Sequence, residues 1–269
     1  MSVTPPSTLR SRFADLHRSG MFIMPNAWDV GSALVLQSLG FEAVATTSSG
    51  FAASLGRHDQ NISLAELAVH VADMCSALDI PLSVDSEAGY TADITLLPRT
   101  VGQLAAAGAA GVSIEDYLPD RGLVALEEAT DRVGRFAEAA RQEGMTVTAR
   151  AENHLYGVDD LDDTIARLQS YRSAGADVVY APGLIQVDEI ARVVREVPAP
   201  INVLVLSDGP TVAELEHIGV RRLSTGGALA FAAYGALAAA ARELMERGTT
   251  GFTTGALSTE ERAAAFGNE

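Results

Sequence analysis

The 269-residue chain has one cysteine, Cys75, so no internal disulfide can brace it. Cys75 lies in the apolar-periodic stretch LAVHVADMCSAL, which reads as a buried helical thiol rather than a nucleophile. Basic side chains are also scarce, 19 against 35 acidic ones, for a formal net charge of −16. That balance argues against nucleic acid and anionic membranes as partners, because both need clustered positive charge. It also opposes the approach of an acidic ligand, which must then be drawn in by a local arginine or a metal. Long apolar runs are missing as well. The most apolar stretch, GALAFAAYGALAAAA (227–241), is Ala-rich and short for a bilayer, and reads as a buried or subunit-packed helix. The opening MSVTPPSTLRSRFADLHRSG lacks the apolar core of a signal peptide, so a cytoplasmic protein is expected. No Pro/Ser-rich linker divides the chain. With 48% hydrophobic residues, the reading is one domain over 1–269 with a C-terminal helical arm from about residue 228.

What the chain does contain is a rhythm. β-prone runs recur at FIMPNA (22–27), AVATTS (43–48), LSVDSE (82–87), GVSIED (111–116), TVTARA (146–151), DVVYAP (177–182), INVLVL (201–206) and RRLSTG (221–226). Each pair is separated by room for a helix, close to the roughly thirty residues of a βαβ unit. The intervening pieces are helical in pattern. SLAELAVHVADMCSALD opens with a Ser63–Glu66 capping box, and residues 159–174 carry Leu161, Ile165, Leu168 and Tyr171 at helical spacing. Eight such units predict a TIM-type (β/α)8 barrel of the α/β class, with a doubly wound open sheet as the alternative.

In such barrels chemistry gathers at the C-terminal ends of the strands. Those ends carry Asp85 with Glu87, Glu115 with Asp116, and Arg150 with Glu152. Strand alternation predicts that Asp85 and Glu87 face the same way. Three acids meeting there, with Glu115, would repel one another and take up protons unless a cation joined them. Oxygen ligands suit Mg²⁺, or Mn²⁺, better than zinc, and no HxxxH pair or cysteine cluster competes. The plain alternative is that the acids cap helices or pair with Arg150. Residues and spacing alone thus point to a metal-dependent barrel enzyme for a small anionic acid.

The motifs VDSEAGY, GAAGVSIED and TARAEN, in this order, resemble the isocitrate lyase/phosphoenolpyruvate mutase superfamily. The similarity extends upstream through MPNAWDVGSALVLQSLGFEAVATTSSGFAASLGRHDQN and downstream through AGADVVYAPGL, PINVLVL and GVRRLSTGGAL. The resemblance implies a Mg²⁺-bound 2-oxo acid or its enolate, in a barrel whose terminal helix is exchanged between subunits of a homo-oligomer, a tetramer. It also implies roles: Asp85, Glu87 and Glu115 for the metal, and Asp59 as the loop aspartate that helps hold metal-bound water. Arg150 would grip the substrate carboxylate, and Ser49, Gly50 and Phe51 would form the turn that holds the 2-oxo acid.

One segment departs from the family pattern. The family's lyases carry a Lys-(Lys/Arg)-Cys-Gly-His segment after the strand-four acid, and its mutases and phosphonopyruvate hydrolases carry lysine and asparagine there. This chain reads IEDYLPDRGLVALEEAT instead. The missing acid/base has replacement candidates in His58, Tyr90, Tyr117, His154 and Tyr156. His58 is favoured because it adjoins Asp59 in the loop GRHDQ, which reads as a lid, and Arg121 offers an electrostatic alternative. The expected activity is a Mg²⁺-dependent carbon–carbon lyase or decarboxylase acting on a small 2-oxo or 2-hydroxy (di)carboxylic acid. Phosphoenolpyruvate/phosphonopyruvate chemistry and a non-catalytic small-acid binding protein stay open beside it.

Overall fold

A computed structural model describes residues 4–267, so the first three residues of the opening stretch and the last two of the expected domain lie outside it. Eight parallel staves form one nearly closed barrel. They are β1 (Phe22–Met24, continued by Asn26–Ala27), β2 (Val44–Thr46), β3 (Leu82–Val84), β4 (Gly111–Glu115), β5 (Thr146–Arg150), β6 (Val178–Tyr180), β7 (Ile201–Leu204) and β8 (Arg222–Ser224). The helices are α1 (Pro6–Leu16), α2 (Val30–Ser38), α3 (Ser48–Ser54), α4 (Leu64–Ala77), α5 (Leu97–Ala106), α6 (Leu126–Gln142), α7 (Leu161–Ala174), α8 (Val187–Glu196), α9 (Val212–His217), α10 (Ala228–Arg247) and α11 (Thr259–Phe266). The barrel closes through the kink in β1. Phe22–Met24 pair with Arg222–Ser224, whereas Asn26 and Ala27 pair with Ala45 and Thr46. Between them Pro25 has no N–H for either ladder, and its carbonyl accepts from Ala45 N at 2.9 Å.

The local signals explain the helix starts. Ser63 and Glu66 form the expected capping box on α4, and Asp29 with Ser32 forms another on α2. Cys75 lies on α4, where burial pushes its thiol up to about 12 and keeps it unreactive.

The main apolar core lies between the staves and the helix ring, with Val112, Ile114, Phe136, Leu168 and Leu223 fully buried. A second, smaller cluster closes the bottom of the barrel. There Leu9 and Phe13 of α1 pack on Phe22, Met24, Ala43, Ala45 and Ala110. Gly111 belongs to this contact, since a Cβ on it would lie 2.5 Å from the Phe13 ring.

Two expectations are corrected. The third run leaves the strand at Val84, so alternation does not orient Glu87, which sits in the left-handed region at φ 47°. The alanine-rich stretch, expected to be buried or subunit-packed, is helical, and the first of those alternatives falls because it is not buried within the chain. In α10 only Ala230 is buried, while Leu237 is 65% and Met245 85% exposed. By length and composition α10 is also the one helix among the described residues apolar enough to cross a membrane. Beyond it, α11 turns back onto α2.

Candidate active site at the barrel mouth

A cavity of about 200 Å³ opens at the C-terminal end of the staves and reaches into the barrel. This is smaller than the roughly 300–1,000 Å³ of drug-sized pockets, and it suits a small acid. Its rim includes Ser48, Ser49, Asp59, Asp85 and Arg150.

Arg150 ends β5 at the centre of a carboxylate cluster. Its Nε donates to Glu152 Oε1 at 2.7 Å and its Nη1 to Asp85 Oδ1 at 2.9 Å, with Glu115 Oε2 3.4 Å from Nη1. Burial alone would lower the guanidinium's pKa, but Glu152, Glu115 and Asp85 hold it well above its ordinary value. Nη2 makes no hydrogen bond to any described residue, and Tyr180 lies beneath the group with its ring centroid 5.5 Å away. A guanidinium has five N–H donors, so Arg150 keeps a free edge despite three acidic neighbours.

Asp85 follows β3 directly. Its Oδ2 accepts from Ser48 N at 3.2 Å, and its own N–H donates to Thr46 Oγ1 at 2.8 Å. Glu87 accepts from the Tyr90 hydroxyl at 3.3 Å. Burial, then Asp85 and Asp59, push the Glu87 carboxyl up to about 7. Asp59 belongs to an exposed loop, but its carboxylate borders the cavity beside Ser48. Desolvation raises its pKa, the Ser48 bond lowers it, and Asp85 raises it again. Glu115 is buried behind Arg150, and burial raises its carboxyl well above the usual range against the pull of Arg150.

Glu87 and Tyr90, at φ 47° and 58°, occupy a region that L-residues rarely adopt. Arg132 of α6 holds this turn. Its buried guanidinium donates to the carbonyls of Ala88 at 2.6 Å, Thr91 at 2.7 Å and Ala92 at 3.0 Å.

The Ser49–Gly50–Phe51 segment begins α3, capped by Thr47. Ser49 borders the cavity. At Gly50 a Cβ would lie 2.5 Å from Thr47 Cγ2 and 3.0 Å from Trp28 Cβ, so the close turn needs glycine. Phe51 points into the core, stacked on His70 at 3.7 Å, and its N–H donates to the Thr47 carbonyl at 3.0 Å, so it does not face the cavity.

The proton-donor candidates are scattered. His58 is exposed and is not among the cavity-lining residues. Tyr117 belongs to a small hairpin, Tyr117–Leu118 against Gly122–Leu123, and stacks on Tyr156 at 3.6 Å. Buried His154 has Nδ1 3.4 Å from Asp159. Arg121 is engaged outside the mouth in a two-armed contact with Glu128, both arms 2.7 Å. Asp116 is structural in its contacts, accepting from Tyr171 Oη at 2.5 Å and Arg167 Nη1 at 3.0 Å.

Sequence reasoning missed two arginines. Arg132 lies in a stretch of helical pattern, and Arg222 in the β-prone run RRLSTG, with no role assigned to either. The signal for Arg222 is alternation: of two adjacent strand residues, one must face inward.

Among the described residues, no three His, Cys, Asp or Glu side chains form a ready-made metal cluster. The donor chemistry still suits a hard cation. Asp59, Asp85 and Glu87 are near enough that like charge raises the pKa of Asp59 and Glu87. Mg²⁺ commonly takes only one or two carboxylates and keeps several waters, so a three-acid cage is not required.

Residues 13–245 match the family model described as phosphoenolpyruvate phosphomutase. The chain is 32% identical over 207 residues to an oxaloacetate decarboxylase of Paraburkholderia xenovorans, spanning 73% of this chain and 68% of that one. It is 27% identical to a 2-methylisocitrate lyase of Aeropyrum pernix, over 87% of this chain and 79% of that one. A solved structure from Burkholderia cenocepacia, provisionally described as a lyase/mutase, superposes with a TM-score of 0.91 at 44% identity, covering 95% of this chain and 94% of its own.

Proposed function

The chain belongs to the phosphoenolpyruvate phosphomutase family, within the isocitrate lyase/phosphoenolpyruvate mutase superfamily, and from that premise we propose a divalent-metal-dependent carbon–carbon lyase or decarboxylase. Its substrate is a small 2-oxo or 2-hydroxy acid. The observation that carries this reading is the mouth itself, where mutually repelling acids stand beside an arginine that keeps a free edge. Asp85 would hold Mg²⁺ or Mn²⁺, with Glu87, Glu115 and Asp59 fixing the surrounding waters and charge. When bound, the cation supplies Lewis-acid stabilisation of negative charge developing beside the broken bond.

The chain's own groups do the rest. Arg150 Nη2 orients a substrate carboxylate, which turns an encounter into a positioned reaction. At the start of α3 the N–H groups of Ser48, Gly50 and Phe51 are already donated to Asp85 and Thr47, which leaves Ser49, on the cavity wall, to meet the ligand. Asp59, on a loop that borders the cavity, excludes water once that loop settles over the ligand. Decarboxylation of an oxaloacetate-like acid is favoured because its first step, loss of carbon dioxide to leave an enolate, needs no base. Protonation of that enolate falls to a group near the mouth, where the Tyr90 hydroxyl is tied to Glu87 at 3.3 Å. Phosphorus–carbon chemistry is the weaker reading, because the whole chain contains no lysine to serve in the hairpin region: all 19 of its basic residues are arginines. We further propose a soluble, cytoplasmic homo-oligomer, a tetramer, with α10 packed on a neighbouring copy.

The test is a screen of purified protein with Mg²⁺ against oxaloacetate, 2-methylisocitrate, 2,3-dimethylmalate and phosphonopyruvate, following pyruvate and phosphate. Pyruvate without phosphate from one of the carbon acids is expected. In Asp59→Asn that rate should fall by about tenfold or more with thermal stability kept, since about 1.4 kcal/mol of lost barrier stabilisation is a factor of ten. Turnover of phosphonopyruvate alone would shift the assignment to phosphorus–carbon cleavage.

A further inference from the structure

The interior of the barrel below the mouth departs from what such barrels usually hold. Branched apolar side chains normally fill the layers inside the staves. Here small hydroxyl residues, Ser83, Ser113 and Thr148, line the cavity and leave it open downward. At its lower end stand Asn202 and Arg222, each 2% exposed. Arg222 is two residues deeper in β8 than Ser224, so its side chain shares Ser224's inward facing but starts about one layer further down.

Arg222 differs from Arg150 in one decisive respect. Arg150 is surrounded by carboxylates, whereas among the described residues every hydrogen-bond partner of Arg222 is neutral. Its Nε donates to Asn202 Oδ1 at 2.8 Å, and its Nη2 to Thr148 Oγ1 at 2.9 Å. Its Nη1 lies 3.2 Å from His17 Nε2. His17 Nδ1 is 2.8 Å from the Phe13 carbonyl and donates to it, so Nε2 carries the lone pair and accepts. The histidine is therefore a neutral prop rather than a charge partner. Three of the five guanidinium N–H bonds are used in this way, and none reaches an acid.

A buried charge without a counter-ion costs several kcal/mol, and arginine cannot escape the cost by losing its proton. Burial lowers the Arg222 pKa only to about 9, which leaves it cationic at neutral pH. Folds keep such a group when something anionic arrives to meet it. In a chain of net charge −16, this is an uncompensated cation at the closed end of a cavity whose other end already holds a carboxylate-gripping arginine.

We propose that Arg222 is an anion-binding, specificity-determining residue on the barrel floor, gripping the far carboxylate of a substrate whose 2-oxo or 2-hydroxy acid head lies at Arg150. Asn202, Thr148 and His17 act as positioning residues that hold the guanidinium plane. The assignment rests on the proposed acid-binding function of the mouth and adds a second point of attachment to it. It makes the chain select dicarboxylates over monocarboxylates of the same head group.

Malate and lactate form a suitable probe pair, since both carry a 2-hydroxy acid head and only malate has the far carboxylate. Calorimetric titration of each into wild type, Arg222→Met and Arg222→Lys, with and without Mg²⁺, reads the effect. Wild type should prefer malate. Arg222→Met should weaken malate by about tenfold to a hundredfold, as expected for a lost charged hydrogen bond, and change lactate less than about twofold. Arg222→Lys should recover part of the malate affinity. Equal malate affinity in wild type and Arg222→Met, equal losses for both ligands, or no malate binding by wild type would overturn the floor site. If Arg222→Met does not fold, a crystal structure of wild type with malate decides: a carboxylate on Arg222 supports the assignment, and carboxylates only at the rim overturn it. Selective loss of malate that persists without Mg²⁺ would leave the floor site standing even if metal-dependent lyase activity failed. Normal turnover in the substrate screen by Arg222→Met would overturn the floor site and leave the lyase reading intact.

Discussion

Two buried histidines that take no part in the chemistry are expected to weaken the fold in acid. Burial, and then Arg222, push His17 down to about 3; burial pushes His70, stacked on Phe51, down to about 4. In the unfolded chain both titrate near 6.5. Between pH 6.5 and those depressed values the unfolded state therefore binds protons that the native state refuses. The stability contributed is complete above pH 6.5 and is lost progressively as pH falls toward 4 and 3. At about 1.4 kcal/mol per pKa unit the loss amounts to several kcal/mol. Urea unfolding at pH 7 and pH 4.5 should show a marked drop for wild type and a smaller one for His17→Gln, which keeps an acceptor for Arg222. Parallel drops in both proteins would remove His17 from this role. Legibility at this scale followed position. Arg150 could be read because it stands at a strand tip among acids. Arg222 could not, because Arg221 beside it is a better surface residue, and only barrel closure decides which of the two is inside.

At the scale of elements, β-prone runs and capping boxes were sufficient to place the staves and to start α4. They failed where the chain leaves regular structure. The turn after Val84 depends on Arg132, which is 47 residues beyond Asp85 in sequence and reaches it only through the packing of α6. No local pattern announces a side chain that clamps three distant carbonyls. α10 was read as buried or subunit-packed, and within the chain it is not buried. Phe231, Leu237, Leu244 and Met245 are exposed on it, more apolar surface than one helix of a monomer usually presents. A stable interface between copies buries roughly 1,200–2,000 Å² in total, and a 20-residue helix can supply a large share of that. Light scattering at micromolar concentration should therefore give a mass that is a multiple of 28.1 kDa. Leu237→Asp with Met245→Asp should shift it toward the monomer. A wild-type monomer would leave α10 without the partner proposed for it.

Across the whole molecule, charge and topology fit one purpose. A chain with a large negative excess repels small acids at long range and attracts divalent cations. The barrel gathers Asp59, Asp85 and Glu87 at one end, where a bound cation would relieve their mutual repulsion, and places Arg150 and Arg222 along the cavity. Everything proposed for catalysis depends on that cation being bound there. Isothermal titration of Mg²⁺ into wild type and Asp85→Ala is the most direct measurement. One Mg²⁺ site per chain is expected, with affinity reduced by about tenfold or more in Asp85→Ala while the fold is kept, as when a carboxylate that holds the ion is removed. Equal Mg²⁺ affinity in the two proteins, or no binding by wild type, would contradict it.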